Sequence, residues 1–215
     1  AGTVSARLTD SSGTSDSMTI NLRSNTADKS LAQVVDDLDI ADGVETLNLD
    51  SSGMKTQTTT AAVGKTLTAL TADTSLTTLN ITGTDDLTIT GITASALKTI
   101  NASASTGSIQ LPGAASLSQT ITTGSGNDTI IMGANLTASD VIDTGANRAS
   151  TAGAAGSDVV TASGDQGSAV TAAALQLSNV EALQLTNAGS VASYIDGSKL
   201  TNVGEIAMSA GSGSV

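Results

Sequence analysis

Val44-Glu45-Thr46-Leu47-Asn48-Leu49 places apolar residues at its first, fourth and sixth positions, and the phrase returns along the chain. It reappears as L-T-T-L-N-I at Leu76, Leu79 and Ile81, and as L-K-T-I-N-A at Leu97, Ile100 and Ala102. Two later copies are V-E-A-L-Q-L at Val180, Leu183 and Leu185, and V-G-E-I-A-M at Val203, Ile206 and Met208. The central positions 47, 79, 100, 183 and 206 are 32, 21, 83 and 23 residues apart. Three of these gaps lie near multiples of about 21, a length typical of one solenoid coil. The last three residues of each copy alternate apolar, polar, apolar, as a half-buried strand requires.

The alternation extends to Met18-Thr-Ile20-Asn-Leu22, Leu87-Thr-Ile89 and Ile109-Gln-Leu111, and Gly53, Gly83, Gly91, Gly107 or Gly113 follows most of these runs. The polar members are mostly Thr, Asn, Gln and Ser, which suit the exposed face of a strand or a ladder from coil to coil. The expected fold is all-β: a stacked β-solenoid, or parallel β-helix-like coils of about 20 residues. A β-sandwich with regularly spaced strands is the competing arrangement. Leu31, Val34, Val35 and Leu38 stand at i, i+3, i+4 and i+7 behind Thr26-Ala-Asp28, which predicts a short helix near 28–39. A second short helix is expected over 172–177. The acids Asp36, Asp37, Asp39 and Asp42 would then form the wet face and C-terminal end of the first helix, where a cation would offset an unfavourable dipole. The expected organisation is a β-solenoid region over 1–135, a Gly/Ala/Ser-rich loop or linker over 136–168, and further β coils over 169–215.

Composition narrows function. Ala, Thr, Ser and Gly fill 117 of 215 positions, with one Tyr, one Pro and no Phe, Trp, His or Cys. That alphabet excludes a thiol nucleophile, a disulfide, a Cys or His zinc site and a Ser-His-Asp triad. It also lacks stacking platforms for bases or sugars. A glycosidase-like carboxylate pair would still need groups to grip a sugar, and the eight basic residues are scattered, so no enzymatic activity is expected. The net charge of −12 argues against a nucleic-acid partner and makes divalent cations the natural counterions. No run of about 18 apolar residues offers a transmembrane helix. Neither end carries a signal peptide or a terminal cap, as expected of an internal fragment or a processed chain. The missing Cys agrees with a bacterial secreted or surface protein.

Chemistry concentrates in T-G-S-G-N-D-T-I-I, Thr123 to Ile131. Gly124 and Gly126 permit a tight turn that aims carbonyl oxygens inward, Asp128 beside Asn127 supplies a carboxylate, and Ile130 anchors a strand. A second run, G-A-A-G-S-D-V-V-T, aligns Gly153, Gly156, Asp158 and Val160 in the same way, and Asp85 and Asp86 form a further acidic turn after Gly83. Such all-oxygen turns suit Ca²⁺; the same letters also build Gly-Asn-Asp hairpin turns.

These runs resemble the repeats-in-toxin nonapeptide G-G-x-G-x-D-x-U-x, with Thr123 and Ala154 departing from it. Together with A-D-G-V-E-T-L-N-L, L-T-T-L-N-I-T-G and L-S-N-V-E-A-L-Q-L, they make the chain similar, over most of residues 15 to 210, to calcium-dependent surface-layer (S-layer) proteins of Gram-negative bacteria and to related large adhesins. The resemblance implies a β-rich solenoid with calcium bound along it, secretion to the cell surface, and self-assembly with copies of itself into a two-dimensional sheet. Contact with cell-surface polysaccharide would run through parts outside this chain. An adhesin stalk or binding module, or a phage or fibre-type solenoid, is the alternative.

Overall fold

The computed structural model describes residues 3–23, 33–52, 64–113, 118–146, 157–163, 175–186 and 203–209. Among them the chain runs β1 (Thr3–Ala6), β2 (Ser17–Asn21), β3 (Gln33–Ile40), β4 (Thr46–Asp50), β5 (Lys65–Ala72), β6 (Thr78–Gly83), β7 (Leu87–Ile89), β8 (Ile92–Ala94) and β9 (Thr99–Ser105). It continues as β10 (Ile109–Pro112), β11 (Thr120–Thr122), β12 (Thr129–Gly133), β13 (Val141–Asp143), β14 (Val159–Ser163), β15 (Gln176–Ser178), β16 (Val180–Thr186) and β17 (Val203–Ser209). The strands form two sheets. One follows the order β1-β3-β5-β7-β10-β12-β14-β16-β17 with β8 also paired to β5, and the other follows β15-β13-β11-β9-β6-β4-β2. Every pairing is parallel. From β1 to β7 and from β9 to β16, successive strands alternate between the sheets, an arrangement consistent with a parallel β-helix or solenoid-like fold.

Register explains the repeat. Leu47 pairs with Leu79, Leu79 with Ile100, Ile100 with Ile121, Ile121 with Ile142, and Ile142 with Leu177. All six are at most 2% exposed, so one apolar column runs through the seven-stranded sheet. In the other sheet Leu111, Ile130, Val160 and Leu183 form a matching column at 0% exposure. Val44, Leu76 and Leu97, the first members of three copies of the phrase, are also buried to 1% or less. Fully burying a side chain of this size stabilises by about 1.5–3 kcal/mol. Stacking lets many such chains share one core, which no single coil could build.

The helix expected near 28–39 is corrected: residues 33–40 are strand, and 24–32 lie outside the described residues. The cause is visible one coil on. In β5 the buried positions are Lys65, Leu67, Leu70 and Ala72, spaced two, three and two. The three-residue step falls at Thr68–Ala69, and in the next pass the chain divides there into β7 and β8, which pair with the two halves of β5. Residues Val35, Leu38 and Ile40 of β3 follow the same three-then-two step, so a strand with this step imitates helical periodicity. Pairing with β1 and β5 on both sides then overrides local propensity. Of the acids expected on that helix, Asp36, Asp37 and Asp39 line a strand instead, where Asp37 Oδ2 accepts from Thr3 Oγ1 at 3.2 Å, and Asp42 lies in a bend after it. The second expected helix fails too, since Gln176–Ser178 is β15; residues 172–174 lie outside the described residues. Within the span expected to be a linker, 136–168, β13 and β14 extend both sheets. Small residues serve as strand residues there, with Ala162 at 0% exposure.

Truncating a column residue should cost the stack heavily. Ile100→Ala is expected to destabilise by about 2–5 kcal/mol through lost burial and a residual cavity, whereas Thr99→Ala, on the outer face, should fall within about 0.5 kcal/mol. Urea midpoints of the two variants against the parent check this directly.

Candidate metal centre

Acids at strand entrances share one geometry. Glu45, Asp128, Asp140 and Asp158 each stand two residues before the first inward apolar residue of a strand, Leu47, Ile130, Ile142 and Val160; Glu181, the second residue of β16, stands two before Leu183. Period-two alternation therefore turns the carboxylate toward the core. Each accepts a backbone N–H from the preceding coil. Asp128 Oδ1 accepts from Ile109 N at 2.7 Å, Asp158 Oδ1 from Asp128 N at 2.6 Å, and Glu181 Oε2 from Asp158 N at 2.9 Å. In the other sheet Asp140 Oδ1 accepts from Gln119 N at 2.7 Å, and Glu45 Oε2 from Asp16 N at 2.7 Å. A buried N–H needs an acceptor, and an ionised oxygen makes the stronger bond.

Two of these carboxylates lie deepest. Asp128 and Asp158 are both 0% exposed and immediately precede neighbouring strands, in which Thr129 pairs with Val159. Asp158 spends one oxygen on Asp128 N, while its Oδ2 is buried without a hydrogen bond. Burial pushes the Asp158 carboxyl up to about 7; the neighbouring charges of Asp128 and Glu181 add to the rise, and the bond from Asp128 N and the nearby Thr144 hydroxyl work against it. A buried carboxylate with a free oxygen calls for a proton or a cation.

The turn before Asp128 is built for close stacking. A Cβ on Gly124 would overlap the Ser105 carbonyl oxygen, and one on Gly126 would strike the Gly107 carbonyl. Asn127 is exposed, and its N–H donates to Ser108 Oγ at 3.1 Å. Asp86 reaches the same corner from the other side, its Oδ1 accepting from Ser108 N at 2.8 Å. Asp128 and Asp158 are thus brought together, and Asp86 joins their corner two coils away. Gly153 and Gly156 lie outside the described residues.

Asp85 has a cation already. Lys65, 3% exposed, places its Nζ 3.1 Å from Asp85 Oδ2, and the same ammonium donates to the carbonyls of Ser51 and Ser52. Three oxygens around an interior ammonium make that turn self-neutralising. Sequence reading passed over Lys65, Glu45, Asp140 and Glu181. The available signal was acid-x-apolar-x-apolar for Glu45 and Glu181, and only acid-x-apolar for Asp140.

The donors on this corner are all oxygen, and the bare Oδ2 of Asp158 has the chemistry of a hard-cation ligand, so the residues present fit Ca²⁺ in kind. Among the described residues no three acidic side chains converge on one point. The carboxylate pair would therefore contribute two ligands at most. Hydroxyl, carbonyl or water oxygens would complete the six to eight that calcium takes.

Two outcomes follow from the geometry. Folded Asp158 holds its proton up to about pH 7, whereas the unfolded group loses it near 3.8. Its contribution to stability is therefore largest below pH 3.8, falls as pH rises through that window, and is level above about 7. In EDTA, the parent should lose more stability than Asp158→Asn between pH 5 and pH 8, measured as the shift in denaturation midpoint. Separately, Lys65→Met should destabilise by about 3–5 kcal/mol by stranding Asp85; a loss below about 1 kcal/mol in urea titration would contradict the internal ion pair.

Neither a family model, nor a curated protein, nor a solved structure matches the chain.

Proposed function

We propose that this chain is a non-catalytic structural segment of a secreted bacterial cell-surface protein. Coils of about 20 residues stack into a stiff rod that self-assembles with calcium into a two-dimensional surface layer. The observation that carries the reading is the use of charge. The buried acids Asp128, Asp140 and Asp158 and the half-buried Glu45 and Glu181 are committed to the N–H groups of adjoining strands, a stacking role rather than the paired geometry of acid–base catalysis. The unbroken apolar columns of both sheets support a rod, and the excess of acid over base supports a divalent counterion. Asp128 and Asp158 are the residues that would hold calcium, which supplies neutralising charge when bound. The chain's own groups do the rest, with Gly124 and Gly126 letting coils approach and the carboxylates tying each coil to the one before.

The test is electron microscopy with light scattering on the chelated protein as calcium is raised through the millimolar range, where extracellular sites of this type bind at about 10⁻⁴–10⁻³ M. Ordered sheets that dissolve in EDTA are expected. Discrete monomers that bind cells or glycans would replace the lattice with an adhesin stalk, and stable trimers would replace it with a fibre.

A further inference from the structure

One inward column of the larger sheet changes character along the stack. Lys65 pairs with Leu87, and Leu87 with Ile109. Gln110 pairs with Thr129, Thr129 with Val159, and Val159 with Ala182, so the residues just before these continue the column as Asp128, Asp158 and Glu181. The column thus runs from an ammonium, through two aliphatic side chains, to three successive carboxylates about one strand spacing, ~4.8 Å, apart. The ammonium at its start is answered from within by Asp85 and two carbonyls. At the other end Asp158 is flanked by like charge on both sides and keeps a fully buried Oδ2 that accepts no hydrogen bond. The ion pairs Arg23–Asp50 and Lys65–Asp85 both lie in the first half of the chain.

We infer that Asp158, together with Asp128, holds a hard divalent cation inside the stack, so that the coils carrying β12, β14 and β16 need an external ion for order while those carrying β5 and β7 use the ammonium of Lys65. The inference rests on the calcium reading above and goes past it by dividing one rod into a self-neutralised part and an ion-dependent part. The same inward column position is filled by a covalent cation in one half and by a captured one in the other.

Hydrogen exchange read by mass spectrometry on the whole chain tests this, at a dilution where light scattering shows monomers. With a dissociation constant of about 10⁻⁴–10⁻³ M, adding about 10 mM CaCl₂ after EDTA should slow exchange ~10- to 100-fold wherever opening releases the ion. Peptides covering 129–133, 159–163 and 180–186 should show that slowing, and peptides covering 65–72 and 78–89 should change less than about twofold. In Asp158→Asn, which keeps the acceptor for Asp128 N and removes the charge, the late peptides should be protected in EDTA and indifferent to calcium. Equal slowing in both halves, no slowing in either, or a folded Asp158→Asn that answers calcium as the parent does would each overturn the inference. The parent comparison decides alone if the variant does not fold. Because assembly is absent at this dilution, calcium protection without sheets would retain the ion site and remove only the lattice, and sheets without differential protection would do the reverse.

Discussion

In parallel, in-register strands each side chain has as its nearest neighbours the same position of the strand above and the strand below. Whatever chemistry a position carries is repeated against itself at about 4.8 Å. Apolar groups gain from that repetition, as the Leu47 to Leu177 column shows. Amides gain too: Asn80 Nδ2 donates to Asn48 Oδ1 at 2.8 Å, and Asn48 Nδ2 approaches Met18 O on the next strand. Small residues fit because coil corners approach closely, with the Ser105 and Gly107 carbonyls lying directly under Gly124 and Gly126. The Ala, Thr, Ser and Gly alphabet is thus a consequence of stacking.

Charge is what repetition punishes, and the molecule handles it in different ways at different heights. A carboxylate at a strand entrance is given a backbone N–H from the coil before it, which converts a like-charge column into a chain of charge-assisted bonds. Asp85 is given a lysine. Asp158 receives one N–H, retains a bare oxygen, and is left at the edge of ionisation near neutral pH. Half-buried Asp37 of β3 instead takes hydroxyls from Thr3 and Thr71 on the two neighbouring strands.

Much of the fold was legible because burial in strands leaves a simple trace. Every apolar member of V-E-T-L-N-L, L-T-T-L-N-I and L-K-T-I-N-A is at most 1% exposed. The phrase does not report which sheet a strand joins, however. The copies at 44–49, 76–81 and 97–102 enter the seven-stranded sheet, whereas V-E-A-L-Q-L lies in the other. What the phrase encodes is a bend followed by a strand, and the same three-residue step made Val35 to Leu38 read as helix. The acidic corner was half legible: the Gly-x-Gly-x-Asp spacing points to Asp128, and its looser copy to Asp158. Glu181 and Asp140 carry no glycine signal, and a lone acid inside or just before a strand reads as a solvated position. Their partners are N–H groups 23 and 21 residues earlier, and no local pattern specifies such a contact.

Register also shows where the chain tolerates extra length. Leu79, Ile100, Ile121 and Ile142 pair at steps of 21 residues, yet Leu47 reaches Leu79 across 32, and Ile142 reaches Leu177 across 35. The surplus leaves the inward columns undisturbed on both sides, because it enters between strands rather than within them. Strand register and the length between strands are therefore separable: residues can be gained or lost between strands while the spacing of the paired positions stays constant. Parallel sheets of this kind can take up insertions and deletions between their strands without any compensating change in the core.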